Sequence, residues 1–205
     1  MDQQLLSLAR RTRGFMPGME GLALHQAVTG LRVPGPVLEI GSYCGLSALY
    51  LGDAARRSGR VVYSLDHHHG SDENQVGWEH HDPELVDPRT GRMDTLPFFR
   101  RTIEEAGLEG TVVAIVGHSL VVAGAWSTPL AFLLIDGGHA EEAAMADYLA
   151  WTKRLTPGGI LAIHDVFERP ADGGQAPLYV WRRAREEGFE PAGEAGSLRL
   201  LLAPG

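Results

Sequence analysis

The sequence predicts an α/β fold built on a mostly parallel sheet, and three observations predict it. From Val37 onward, short apolar runs alternate with longer segments of helical spacing, the pattern of strand–helix units that feed a parallel sheet. Proline and glycine punctuate the junctions, as at Pro34, Pro36, Gly59, Gly107, Pro129 and Pro157-Gly158-Gly159, where one element must stop before the next begins. A glycine loop at Gly41 and polar or ionisable residues at Asp66, His118, Asp136 and His164 recur where the apolar runs end. Ligands of an open parallel sheet bind beyond the carboxyl ends of its strands.

The elements follow in order. Residues 4–13 pattern as an amphipathic helix with Arg10, Arg11 and Arg13 at its end, where cations suit the helix dipole. Residues 18–31 form a second helix, with Leu22, Leu24, Ala27, Val28 and Leu31 as the core stripe; His25 on it reads as a partly exposed surface histidine. Val37–Gly41 is the first strand and Leu46–Arg57 the helix after it. Arg60–Asp66 is the second strand. A polar stretch, 67–95, interrupts the alternation. Residues 96–106 are helical, Thr111–Val116 is the third strand, and Ser119–Ala125 a short helix. Leu130–Asp136 is the fourth strand, Ala140–Leu155 a long helix stopped by Pro157-Gly158-Gly159, and Ile160–His164 the fifth strand. Leu178–Glu187 is a helix, and Phe189–Ala192 with Ser197–Leu202 reads as a terminal hairpin.

Composition bounds the function. The chain has 205 residues, 44% of them hydrophobic, which suits one domain over 1–205 with a sizeable core. The net charge of −8 argues against a nucleic-acid binder, which shows a basic face. Leu130–Ile135, the longest clearly apolar run, is too short for a membrane span. One cysteine, Cys44, excludes an intrachain disulfide, and the N-terminus shows no signal-peptide pattern, so the cytoplasm is the default compartment.

The chain is organised around Val37-Leu38-Glu39-Ile40-Gly41-Ser42-Tyr43-Cys44-Gly45-Leu46-Ser47, read as strand, tight turn and helix start. Gly41 and Gly45 let the backbone turn sharply and let a ligand approach, and the new helix presents unpaired N–H groups there. A dinucleotide fingerprint would read G-x-G-x-x-G; position 43 is Tyr, so a nicotinamide enzyme is disfavoured. Asp66 stands at the end of the second strand, where an acid can accept hydrogen bonds from a ribose diol, or cap the next element. Cys44 reads as a small packing residue.

The E-x-G-x-x-x-G pattern at Glu39, Gly41 and Gly45 resembles the first motif of class I S-adenosylmethionine-dependent methyltransferases. Leu133-Leu134-Ile135-Asp136-Gly137-Gly138-His139, followed by Pro157-Gly158-Gly159-Ile160-Leu161-Ala162-Ile163-His164-Asp165, resembles a subgroup that includes macrocin-type sugar O-methyltransferases and cephalosporin-hydroxylase-like proteins. The likeness covers roughly 37–165 and leaves 67–95 unaccounted for. It implies a Rossmann-like sandwich with a seven-stranded sheet, a C-terminal antiparallel hairpin and N-terminal cover helices over 1–33. It further implies that the Gly41–Gly45 loop, with Ser42 and Tyr43, carries the methionyl end of the cofactor and that Glu39 helps hold its ammonium group. Asp66 would hold the ribose hydroxyls, and the loop with His118 and Ser119, chiefly Ser119 and its backbone, would flank the adenine. His67, adjacent to Asp66 and facing the site, and Asp136 are further cofactor-binding candidates. Ser119 is equally a helix N-cap candidate. Where relatives often carry an acid, this chain has His118.

In metal-dependent relatives, carboxylates at the ends of strands four and five hold a cation that lowers the pKa of the hydroxyl to be methylated. Asp136 and Asp165 match those positions and His164 is a third ligand candidate. Carboxylates suit Mg²⁺, and added imidazole tilts the set toward Mn²⁺, Fe²⁺ or Zn²⁺. Without a metal, His139 or His164 is the candidate general base. The insertion 67–95 holds five of the nine histidines and seven acids. It is a lid, a source of further ligands from His67, His69, His80 or His81, or a solvated loop; Trp78 would pack a lid onto the core. The expectation is methyl transfer from S-adenosylmethionine to a small-molecule hydroxyl, with metal assistance by Mg²⁺ or Mn²⁺ and a homodimer contact as a candidate role for 1–33. A metal-dependent hydrolase or oxygenase-like enzyme using the histidine-rich stretch, and a non-catalytic S-adenosylmethionine-binding protein, are the alternatives.

Overall fold

A computed structural model describes residues 1–71, 74, 77, 81–138 and 140–205. Seven strands form one sheet in the order β5-β2-β1-β6-β7-β9-β8. These are β1 (Val37–Ile40), β2 (Val62–Asp66), β5 (Val112–Val116), β6 (Leu130–Ile135), β7 (Leu155–Ile163), β8 (Glu190–Ala195) and β9 (Leu198–Leu202). The pairs from β5 through β7 are parallel, and β9 pairs antiparallel with both β7 and β8. The expected sheet, hairpin and N-terminal helices are therefore present. From β1 the chain steps one way to β2 and β5, then returns past β1 to β6 and β7. The switch point between β1 and β6 is where such a sheet opens a crevice.

Parallel strands covered on both faces read as continuous apolar runs: all residues of β1 and β6 are buried. On one face α1 (Gln3–Arg11), α2 (Gly18–Thr29), α3 (Leu46–Arg57) and α4 (Leu96–Glu105) pack around Leu24, Leu49, Leu51, Phe99 and Phe132. On the other, α5 (Ser119–Ala125), α6 (Glu141–Trp151) and α7 (Ala176–Glu186) pack around Leu38, Leu133, Tyr148 and Trp151. Asp2 starts α1 by accepting from the Leu5 N–H at 2.9 Å, an N-cap. No helix among the described residues is long and apolar enough to cross a membrane.

Two expectations are corrected here, and one left open is filled in. His25 is buried, not on the surface, and pairs at 2.9 Å with the fully buried Asp53, which also receives Arg56 and Arg57. A lone histidine on an apolar helix met an acid 28 residues away, which no local pattern announces. Pro157-Gly158-Gly159 lies inside β7 and does not end a helix: α6 stops at Trp151 and a 3₁₀ turn, Thr152–Arg154, leads into the strand. The register between β6 and β7 shifts between Leu130 and Phe132, a bulge that takes up the proline. Finally, the polar insertion holds structure of its own. A 3₁₀ turn at Pro83–Leu85 leads into a short hairpin of β3 (Val86–Asp87) and β4 (Arg92–Met93). Leu85 and Met93 are buried against Cys44, and His68 bonds Thr95 at 2.8 Å. Cys44 is a packing residue, as expected; burial pushes its thiol up to about 12, far from the reactive range.

Candidate active site

The crevice is built from strand ends. Gly41 follows β1 at φ +88, and a Cβ on it would stand 2.1 Å from the carbonyl oxygen of Asp136. Only glycine lets the β1 loop pass that close to the end of β6. Gly45, at φ +92, starts α3. Tyr43, His68 and Asp165, at the ends of β1, β2 and β7, all hold left-handed backbone at φ 45, 61 and 57. Such strain costs each residue about 1 kcal/mol or more and clusters at functional sites.

Asp66 organises the loop. Its Oδ2 accepts the backbone N–H of Ser42 at 2.9 Å and of Tyr43 at 2.8 Å, and its Oδ1 that of His68 at 2.7 Å. An ionised carboxylate offers about four acceptor sites, so the three backbone donors leave one unused. The Ser42 hydroxyl is buried in the same loop and its oxygen has no hydrogen-bond partner. Buried polar atoms are rarely left so. A loop with close backbone approach, an acid with spare acceptor capacity and an orphan hydroxyl together fit a nucleoside-bearing ligand.

Glu39 lies beneath the loop with no exposure, its two oxygens accepting from the Ser47 and Ser64 hydroxyls. It braces the loop from below, and both oxygens are engaged by serines where an ammonium partner was expected. Burial pushes its carboxyl up to about 7 against the pull of the two serines, with Asp136 and Asp66 adding to the rise. The folded protein thus keeps a proton on Glu39 between the ordinary value of 4.5 and about 7, a window in which the unfolded chain has lost it. Stability consequently falls as pH rises through that window, by about 3 kcal/mol. In Glu39→Gln that contribution is expected to vanish. Urea unfolding from pH 4.5 to 7.5 reads the difference between the two slopes, and parallel slopes would contradict it.

His118 and Ser119 follow β5. His118, at the start of α5, is exposed, and its ring centroid lies 5.1 Å from that of His67. Ser119 does not cap: it accepts from Trp151 Nε1 at 2.7 Å and hydrogen-bonds Asp147, so its side chain faces α6. The tryptophan's indole N–H, which needs a partner when buried, claimed the hydroxyl that was expected to serve the cap or adenine side. His67 Nδ1 accepts the His69 N–H at 3.1 Å, which places the proton of the neutral ring on Nε2. Burial holds His67 below its ordinary value, opposed by nearby Asp66.

Asp136, His164 and Asp165 converge at the ends of β6 and β7, with one ligand atom of each within 4.8 Å of the others. Among the described residues they are the group arranged to hold a metal; His67, His69 and His81 form no such group. His69 Nδ1 faces Met93 O at 2.9 Å and His81 Nδ1 faces Asn74 O at 3.1 Å. The hydrolase or oxygenase-like alternative loses its footing there. His80, Trp78 and His139 lie outside the described residues.

His164 is corrected as a general base. It is 3% exposed, its Nδ1–H donates to Asp136 Oδ1 at 2.8 Å and its Nε2–H to Glu20 Oε2 at 2.6 Å. Both partners are acceptors, so both ring nitrogens carry hydrogen. Burial opposes that charge, but Asp136, Asp165 and Glu20 outweigh it and push the imidazole up to about 12. Such a ring has no lone pair for a substrate proton. As a ligand it keeps its place, since Nδ1 faces both aspartates, the position a cation takes in exchange for a proton. Glu20 was not foreseen. The one signal was a lone acid on an otherwise apolar helix, Gly18-Met19-Glu20-Gly21-Leu22-Ala23-Leu24.

A switch-point crevice with a glycine loop, a ribose-type acid and an acidic cluster on the adjoining strand ends defines an α/β enzyme that binds a nucleoside-containing ligand. Residues 38–166 match the family model described as "Methyltransferase domain", and the chain belongs to that family, as a class I S-adenosylmethionine-dependent methyltransferase. Solved structures share the fold. The S-adenosylhomocysteine-bound methyltransferase PaMTH1 of Podospora anserina matches with TM-score 0.72 at 15% identity, over 100% of this chain and 89% of that one. The O-methyltransferase NovP matches with TM-score 0.68 at 18% identity, over 91% and 80%. TomG from Streptomyces achromogenes, an O-methyltransferase involved in tomaymycin synthesis and solved with S-adenosylmethionine, matches with TM-score 0.65 at 18% identity, over 100% and 91%.

Proposed function

We propose that this methyltransferase acts on a hydroxyl of a small molecule, with Mg²⁺ or Mn²⁺ held by Asp136, His164 and Asp165. The observation that carries the reading is the convergence of those three side chains beside the Gly41 loop. Two carboxylates and one imidazole nitrogen fit a divalent cation of this kind. The O-methyltransferase activities of NovP and TomG support an oxygen acceptor. When bound, S-adenosylmethionine supplies an electrophilic methyl group, and the cation would lower the pKa of the acceptor hydroxyl.

The chain's own residues position the reactants. Asp66 offers its remaining acceptor site to a ribose hydroxyl, and the Ser42 hydroxyl takes a polar group of the same ligand. The Gly41 backbone brings the β1 loop against the end of β6, so that a donor on the loop and an acceptor at Asp136 meet in line. The N-terminal cover and the insertion border the mouth. Arg13 pairs with Asp82 at 3.2 Å and with Glu84, and Phe15 packs on Tyr43 with ring centroids 5.6 Å apart. The pairing of Arg13 with Asp82 and Glu84 supports a lid role for that part of the insertion.

An acceptor screen with chelator-treated enzyme tests the reading. Methyl transfer to a hydroxylated acceptor is expected to fall at least about tenfold on chelation and to return with Mn²⁺ or Mg²⁺. Turnover indifferent to chelation would remove the cation from the reaction, and transfer to nitrogen or sulfur acceptors alone would remove the hydroxyl.

A further inference from the structure

Glu20 is the buried acid that neither the glycine loop nor the aspartate cluster explains. It sits in the first turn of α2, 1% exposed. Three distant segments are shaped around it. Its Oε2 takes the Nε2–H of His164 at 2.6 Å, from 144 residues away. Its Oε1 accepts the Ser197 N–H at 2.6 Å, and the Ser197 hydroxyl stands 3.0 Å away. Gly196, in the β8–β9 turn at φ +52, leaves the room: a Cβ there would lie 2.2 Å from Glu20 Oε1. The Ser197 hydroxyl also lies 3.3 Å from Asp165 Oδ1. One carboxylate from the N-terminal cover therefore meets one of the three ligand candidates, His164, directly and a second, Asp165, through Ser197.

A histidine binds a metal through one ring nitrogen and is oriented by the hydrogen bond that the other nitrogen makes, most often to a carboxylate or carbonyl. The ring of His164 is held in that manner, with Nε2 on Glu20 and Nδ1 turned toward Asp136 and Asp165. We infer that Glu20 is a positioning residue for the cation site: it holds His164 with Nε2–H donated to the cover helix, so that Nδ1 is the nitrogen offered to the metal beside Asp136 and Asp165. The inference rests on the metal reading above. It also makes the N-terminal cover part of the site, because a chain whose α2 is displaced loses the partner that aims the ring.

Glu20→Gln is the informative change. It keeps size and the carbonyl that Ser197 needs, but its amide donates to Nε2 and so favours the proton on Nδ1, where the cation belongs. Calorimetric titration of chelator-treated protein with Mn²⁺, without acceptor, is expected to show wild-type binding and a 10- to 100-fold loss in Glu20→Gln. S-adenosylmethionine affinity should stay near wild type, while the unfolding midpoint falls, because a buried imidazolium loses a charged partner. Equal Mn²⁺ affinity in the two proteins would overturn the inference and leave the metal reading standing. A matching loss of Mn²⁺ and S-adenosylmethionine affinity would make Glu20 a clamp for the cover alone and overturn it too. A wild type that binds S-adenosylmethionine but no Mn²⁺ would remove the metal reading and the inference with it. Nitrogen-15 NMR of histidine-labelled, Zn²⁺-loaded wild type supplies a test that needs no variant. Nδ1 of His164 is expected to ligate while Nε2 keeps its proton; ligation through Nε2 would overturn the assignment.

Discussion

Replacing Asp66 by alanine is expected to lower the affinity for S-adenosylmethionine by at least about 100-fold, on the order of 3 kcal/mol. Two losses combine. The side chain withdraws acceptors from three backbone N–H groups, those of Ser42, Tyr43 and His68, and bonds to a charged group contribute roughly 1.5–3 kcal/mol each. Tyr43 and His68 sit in left-handed backbone at φ 45 and 61, a conformation that persists only while its surroundings enforce it. Without the carboxylate the loop relaxes before any ligand arrives, and the proposed ribose partner is gone as well. Asp66→Asn separates the two effects, since an amide keeps one acceptor oxygen but cannot serve both sides; its loss should be intermediate. Calorimetric titration measures both variants, and wild-type affinity in Asp66→Ala would sink the assignment of this crevice to the cofactor.

Gly41→Ala is expected to remove most of the folding stability, more than about 4 kcal/mol out of the 5–15 typical of a domain. The added Cβ would stand 2.1 Å from the carbonyl oxygen of Asp136 and 2.6 Å from its carbon. Backbone atoms cannot rotate aside as a side chain can. The strands they belong to are tied together, with Gly41 N–H on Leu65 O at 3.0 Å and Asp136 N–H on Ile40 O at 2.9 Å. Opening the sheet at its switch point would break those bonds. Gly59→Ala is the control, because Gly59 also has positive φ, at +65, but nothing lies within 4 Å of its added Cβ. That change should cost about 1–2 kcal/mol, the conformational part alone. Urea unfolding of the two variants isolates the collision; equal costs would show that the β1 loop and the end of β6 are not held this closely in solution.

The sites of these two changes were legible in the sequence for a local reason. An apolar run ending in glycine or aspartate marks the carboxyl end of a strand, and the strand ends of an open parallel sheet share one edge. Asp66, Asp136 and Asp165 could thus be placed together without knowing a single contact. What misled was equally local. Pro157-Gly158-Gly159 looks like a helix stop, yet a bulge in β7 accommodates it. Ser119 looks like an N-cap, yet the Trp151 indole takes its hydroxyl.

Neighbouring residues set the succession of main strands and helices from β1 onward, the glycine loop at Gly41 and the acids at the strand ends. These depend on periodicity, on the backbone freedom of glycine and on the constraint of proline, all properties of neighbouring residues. The partners of the polar groups came from packing. His25 became the buried partner of Asp53, Glu39 a brace held by two serines, and His164 a doubly bonded ring that cannot act as a base. Glu20 reached that ring across 144 residues. A buried polar group must find a partner wherever the packed chain supplies one, and that partner is chosen by distance in space, which sequence spacing does not encode.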